Sequence, residues 1–354
     1  MERYLEMKVT ESGKVGDVLR AQAGLTKRQI SQAKFRPDGI CKNGKQCRVT
    51  ENVVCGDVLR VCVETKEIKA GLENYSGNCS EIHGENFSVS DNENDSGNHN
   101  HSGMISANDM GSQLLILYED QDLLAVSKPA GVVTHPSGRH YADSLSNQVA
   151  EYFKRKGEDT RIRSIGRLDK ETSGILLFAR NQIGASRLQK QREEGKLQKT
   201  YVAVVQGNLP IMENKVMERL EMPLAPDPDN RMKMVISPEG KLPGSKNAIT
   251  YFHVLENLED TALVKLQLET GRTHQIRVHM AGIGHPLLGD TLYHADHISG
   301  KKDREQYFTR AALHAWKLAF FHPFTGEKIE LEAPFPADFV DFIQGAIYNS
   351  TAAE

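Results

Sequence analysis

Apolar residues recur along this chain with two different periods, separated by a stretch that has none. Val18, Leu19, Ala23 and Leu25, then Ile30 and Ala33, keep helical spacing on either side of Gly24, and Thr26 is placed to cap the second helix. Residues 40–43 and 53–63 then carry strand patterns, with Asn43–Gly44 and Gly56–Asp57 as turns. A small module of two helices and short strands is expected over residues 1–65.

Residues 66–112 are rich in Asn, Ser, Gly and acids, with scattered apolar residues and no period. Such a segment buries too little surface to offset its ordering entropy, so a flexible linker is expected. His83, His99 and His101 within it read as solvated residues rather than metal ligands.

Beyond residue 113 the pattern resumes. Residues 114–131 predict two short strands across an Asp-containing turn, Ile175 to Ala179 predict a buried strand, and Asn181 caps a helix to about Glu194. Further strands are expected over 200–207, 248–256, 261–270, 317–323 and 328–334. Strands that bunch together instead of alternating with helices favour an α+β fold on a mixed, mainly antiparallel central sheet over residues 113–345, followed by a tail at 346–354.

A chain of 354 residues exceeds one ordinary small core, and 39% hydrophobic residues suffice for two. No apolar run approaches the roughly 18 residues that span a membrane, and the charged N-terminus lacks a signal-peptide core, which points to the cytoplasm. No coiled-coil seam occurs, and a monomer is expected. The five cysteines, Cys41, Cys47, Cys55, Cys62 and Cys79, lack zinc spacing and read as reduced thiols, mostly small core residues.

The formal net charge of −3 is ill-suited to a polyanionic partner until it is divided. Residues 1–65 balance at +4, residues 66–112 at −6 and the remainder at −1, so the acidity belongs to the linker. The basic side chains Lys27, Arg28, Lys34 and Arg36 surround the second predicted helix and suit phosphate contact, although a solvated helix face has the same composition.

The stretch GRLDKETSG at Gly166 to Gly174 sets Asp169 among two glycines, two bases and two hydroxyl residues, just before the buried strand. In extended chain Arg167 and Asp169 share one side while Leu168 anchors the other, and a guanidinium keeps a lone carboxylate ionised. The same pattern fits a structural ion pair at a strand entrance. No phosphate-cradling or dinucleotide glycine motif is present, His274 and His279 are five apart, and no H-E-x-x-H occurs, so neither metal nor organic cofactor is expected. Glycoside hydrolysis needs two carboxylates across the bond, and Glu171 is poorly spaced for that.

GRLDKETSG, together with LETGRTHQIRVHMAGIGHPLLGD from Leu268, KPAG from Lys128, KTY from Lys199 and ALHAWKLAFFHP from Ala312, resembles the RluA family of pseudouridine synthases over about Leu114 to Phe339. The first module, through KNG at Lys42 and GDVLRV at Gly56, resembles the S-four-type RNA-binding domain. The resemblance implies a pseudouridine synthase fold that converts uridines in structured RNA to pseudouridine without cofactor. Ribosomal RNA of the large subunit is the expected partner, and transfer RNA an alternative.

By resemblance Asp169 is the essential acid, attacking the sugar carbon or removing a sugar proton. Tyr201 lies against the flipped base with its hydroxyl assisting proton removal, and Arg277 pairs with the carboxylate. Arg167 fills the gap left by the flipped uridine. Ile276 and Val278 wall the pair, Arg272 contacts RNA or scaffold, and Lys128 meets phosphate or positions loops. His314 reads as structural. Gly166 stands where the family commonly has histidine, a feature reminiscent of the related RsuA family. A catalytically silent RNA-binding factor and an RNA glycosidase are the competing readings; an intact Asp169, Tyr201 and Arg277 set opposes the first and the missing second carboxylate the other.

Overall fold

The computed structural model describes residues 4–63, 114–137, 140, 142–158, 161–212, 216–293 and 308–352. The linker predicted at 66–112, with its three histidines and Cys79, lies outside the described residues. The chain divides into two compact units, Met1–Gln113 and Leu114–Glu354.

The first unit runs β1 (Tyr4–Lys8), β2 (Gly13–Lys14), α1 (Val15–Ala21), α2 (Lys27–Lys34), β3 (Ile40–Lys42), β4 (Lys45–Gln46), β5 (Asn52–Val53) and β6 (Val58–Cys62). Helix α2 starts at Thr26 because two exposed ends satisfy each other. The Gln29 N–H donates to the Thr26 hydroxyl at 3.2 Å, and the Thr26 N–H donates to the Gln29 side chain at 2.7 Å. Val15 and Leu19 of α1, Ile30 and Ala33 of α2, and Ile40, Leu59 and Val61 of the sheet β1-β6-β3-β4 are among the buried apolar residues of this unit. Asn43 and Gly44 both take positive φ, 49° and 81°, as a tight Asn-Gly hairpin turn requires.

The second unit runs β7 (Leu115–Glu119), β8 (Leu123–Lys128), α3 (Leu145–Arg155), β9 (Arg163–Ser164), β10 (Ser173–Ala179), α4 (Gln182–Glu193), β11 (Gln198–Gln206), β12 (Glu218–Glu221), β13 (Leu224–Pro226), β14 (Met234–Ile236), β15 (Ile249–Leu258), β16 (Thr261–Leu268), α5 (Gln275–Gly282), β17 (Leu313–Phe321), β18 (Lys328–Glu332) and α6 (Ala337–Ala352). Its main sheet is ordered β12-β15-β16-β11-β17-β10-β8-β7, with β18 on β17 and β9 on β10. Every pairing in it is antiparallel except β10 with β17. The mixed, mainly antiparallel α+β sheet is therefore present.

Strand β10 explains its unbroken apolar sequence. Leu176 and Phe178 pack on one face with Leu145, Val149 and Phe153 of α3, and Ile175 and Leu177 pack on the other with Leu188 of α4. A strand covered on both sides cannot alternate apolar with polar residues. At its start Gly174 takes φ +108°, and a Cβ there would stand 2.2 Å from the Ala315 carbonyl oxygen, so only glycine allows the parallel approach of β17.

Helix α6 departs from the expected tail, since it continues through residues 346–352. Earlier in the helix, Phe339 and Phe342 dock on Phe308, with ring centroids 5.1 and 5.4 Å apart. No described helix is long and apolar enough to cross a membrane.

Candidate active site

A cleft of about 870 Å³ opens in the second unit where the loop between β9 and β10, strand β11 and the turn into α5 converge. Asp169 stands on that loop, whose backbone is tied from several directions. The Thr134 hydroxyl donates to the Leu168 carbonyl at 2.8 Å and accepts the Leu168 N–H at 3.1 Å. Gly131 N–H donates to the Lys170 carbonyl at 2.8 Å, and Arg310 donates to the Glu171 carbonyl at 3.0 Å. Leu168 is buried in the main core. Its neighbours point away from that core: the Arg167 side chain is 65% exposed, the Asp169 side chain 18%, and Arg167 Nη2 lies 3.9 Å from Asp169 Oδ1. The acid is thus held in place by the protein itself.

Lys128, expected to meet phosphate, is instead wholly buried. Its ammonium donates to the carbonyls of Pro129, Val132 and Lys170 at 2.9, 2.7 and 3.1 Å, so all its protons serve the two loops beneath Asp169. Burial pushes its pKa down to about 7, with the Asp169 charge opposing. The loop-positioning role survives and the phosphate role is withdrawn, because no part of the side chain reaches solvent.

Arg277 enters from α5, but its direct partner is not Asp169. Its Nε and Nη2 each donate to Asp290 at 2.6 Å, and Glu171 lies 3.4 Å from Nη2. Asp290 is 1% exposed, so the fork is matched within the protein as a bidentate pair. Burial works to lower the Arg277 pKa, and the Asp290 hydrogen bonds with the charges of Asp290, Glu171 and Asp169 outweigh it, leaving the pKa raised. Arg277 therefore acts on Asp169 through space rather than by contact.

Tyr201, on β11, lines the cleft and is 7% exposed. Burial first, then the Asp169 charge, raises its phenol pKa above the ordinary range, so at neutral pH it keeps its proton. Ile276 also lines the cleft, whereas Val278 does not face it as expected; it packs with Leu224 and Ala248 in a separate cluster. The segment is a helix, in which residues two apart point to different sides. Arg272 lies at the cleft, exposed, with Nε donating to the Asn247 carbonyl at 3.0 Å.

Sequence reasoning passed over three cleft side chains as chemistry. His274 sits at φ +54°, a left-handed conformation that is uncommon outside glycine. Tyr293 Oη accepts the Met234 N–H at 2.9 Å and lies 2.8 Å from His274 Nδ1, within hydrogen-bond distance. Burial, with Asp169 opposing, lowers the His274 pKa and keeps it neutral. Arg192 and Lys199 also line the cleft.

In the first unit Lys27, Arg28 and Lys34 are exposed on α2, while Arg36 is partly buried with Nη1 3.2 Å from Cys62 Sγ. Elsewhere Asp120, Asp122 and His322 converge as metal-site residue types do. His322 Nδ1 accepts the Thr325 N–H at 3.0 Å, which places the ring proton on Nε2, 2.9 Å from Asp120 Oδ2. That nitrogen has no lone pair for a cation, and the trio reads as a tie between two turns.

A family model described as RNA pseudouridylate synthase matches residues 122–282. An uncharacterised RNA pseudouridine synthase of Bacillus subtilis, YhcT, is 40% identical over 228 residues, covering 64% of this chain and 70% of that one. The chain belongs to the RNA pseudouridylate synthase family. The ribosomal large subunit pseudouridine synthase D of Haemophilus ducreyi is 38% identical over 237 residues, 65% of this chain and 70% of that one. Among solved structures, human RNA pseudouridylate synthase domain containing 4 superposes with a TM-score of 0.51 at 25% identity, covering 64% of this chain and 90% of that one. The RluA resemblance read from the motifs agrees with these relatives. As an RNA pseudouridine synthase, the protein isomerises uridine in RNA to pseudouridine.

Proposed function

We propose that this pseudouridine synthase acts on uridines of large-subunit ribosomal RNA, and that the reaction takes place at Asp169. The observation carrying the assignment is that Asp169, Tyr201 and Arg277, from three distant segments, meet at one cleft. Asp169 acts on the ribose side of the glycosidic bond, its loop tied so that no reorganisation is needed when the nucleotide arrives. The Tyr201 ring lies against the extruded base; its phenol, kept protonated, donates a hydrogen bond instead of serving as the base. Exposed Arg167 occupies the space the uridine leaves in its helix. Ile276 excludes water from one side, and Arg277, neutralised by Asp290, limits repulsion around the carboxylate.

The ribosomal substrate is supported by the relatives named ribosomal large subunit pseudouridine synthase D in Haemophilus ducreyi and Pasteurella multocida, at 38% and 36% identity. The first unit serves as an S-four-type RNA-binding domain, with Lys27, Arg28 and Lys34 on phosphate and Arg36 beside them. The linker 66–112 tethers it, raising the local concentration of RNA at the cleft. The protein works as a cytoplasmic monomer.

Ribosomal RNA from cells lacking the protein, incubated with it and mapped by pseudouridine-specific chemical labelling, tests the proposal. Wild type is expected to add pseudouridine at discrete large-subunit positions, and Asp169→Asn to bind the same RNA while adding none. Equal activity in the two proteins would remove Asp169 from the chemistry, and modification of transfer RNA alone would remove the ribosomal substrate.

A further inference from the structure

Arg192 closes α4, and its guanidinium lies over two glycines from separate segments. A Cβ built on Gly271 would stand 2.7 Å from Nη2, and one on Gly166 would stand 3.6 Å from Nη1. Gly166 needs glycine for its backbone, at φ +81°, but Gly271 does not take a positive φ. At Gly271 the missing side chain therefore supplies room, and Arg192 occupies it. A cation at a helix C-terminus is favourable anywhere in solvent, so the helix dipole alone does not account for this seat.

Lys199 stands two residues before Tyr201 on β11 and lines the same cleft. Burial, and then the charge of Arg192, push its pKa down to about 8. Neither cation has an ion pair or side-chain hydrogen bond among the described residues. The adjacent acids are turned elsewhere: Glu194 pairs with Lys196 at 2.8 Å, and Glu193 accepts from Gln189 at 3.0 Å. Two neighbouring cations, Arg192 exposed and Lys199 half-buried at the cleft, with no acid paired to either among the described residues, are an arrangement that an incoming anion stabilises.

We propose that Arg192 and Lys199 form a phosphate subsite of the cleft, taking a phosphodiester of the bound RNA beside the uridine. Uracil is neutral and offers nothing to two cations, whereas a phosphodiester accepts the planar guanidinium fork and a point-charge ammonium together. The inference rests on the reading that this cleft receives a uridine in RNA.

The test uses the full chain and transcribed large-subunit ribosomal RNA, with affinity followed across salt concentrations and pseudouridine formation followed at saturating enzyme. Arg192→Gln is expected to weaken binding roughly ten-fold or more, the size of a charge-assisted contact. It should also reduce the slope of log K against log salt by about 0.7 to 0.9. Lys199→Gln lowers the slope similarly, and Lys199→Arg retains it. Gly271→Ala reproduces the Arg192→Gln defect in wild type, because its methyl displaces Nη2, and adds nothing once Arg192 is Gln. An unchanged slope in Arg192→Gln, or additive effects of the two substitutions, overturns the subsite. A wild type that modifies no uridine would instead bring down the reading of the cleft itself, which separates the two failures.

Discussion

Lys128 shows how a single side chain can be legible in position and illegible in role. KPAG marked a loop, but a lysine in a loop normally meets solvent, and only the folded chain surrounds this one with three carbonyls. Lys128→Met leaves those buried acceptors without donors, and a loss of roughly 2–4 kcal/mol in urea unfolding is expected. Pseudouridine formation should fall with it, since the Lys170 carbonyl adjoins Asp169. The Arg277–Asp290 pair was illegible for a similar reason, since a motif reveals a charge but not which opposite charge the fold returns to it. The block GRLDKETSG pointed to Asp169 and the short KTY to Tyr201, and both residues line the cleft. His314 makes a prediction of its own. Burial, with the charge of Arg310 contributing and hydrogen bonding opposing, holds its pKa near 4, below the ordinary 6.5. The unfolded chain therefore takes up this proton first as pH falls, so the stability contribution is complete above about 6.5 and is lost towards 4. The wild type should lose roughly 2 kcal/mol more than His314→Gln between pH 7 and pH 4.5, as read from urea midpoints at both values.

At the level of elements, periodicity worked where one face or both faces of a strand were buried and left the short helix α5 unassigned. Strand β10 was recognised from the unbroken apolar run Ile175 to Ala179, which its two covered faces require. Helix α5 was not recognised, and Val278 was assigned to the cleft when helical geometry turns it towards Leu224. Helix α3 was overlooked although Leu145, Val149 and Phe153 keep a spacing of four and Ser144 caps it. The meeting of β10 with β17 is the most sensitive junction in the sheet. Gly174→Ala combines a left-handed backbone with a 2.2 Å approach to a carbonyl that cannot yield, and a destabilisation above about 3 kcal/mol is expected. Soluble expression and a thermal midpoint equal to wild type would contradict that account.

Across the whole molecule, the cleft and the proposed RNA-recruiting helix fall in different units. Every cleft residue lies beyond Leu114, whereas the proposed phosphate-contacting helix α2 lies in the first unit. Removing residues 1–65 should weaken RNA binding more than it slows the bound-state reaction. Filter binding together with single-turnover pseudouridine formation distinguishes the two, and unchanged affinity would deny the first unit its role. The division of charge along the chain suits that proposal, since the acidity that masks two near-neutral or basic units sits in residues 66–112.

The enclosed ammonium of Lys128 also makes the protein its own reporter. Reductive methylation tags primary amines according to their access to reagent, so this lysine should remain unlabelled long after its exposed counterparts have reacted. The moment at which it acquires a methyl group would register breathing of the floor under the carboxylate, in a mass spectrum and without any RNA present.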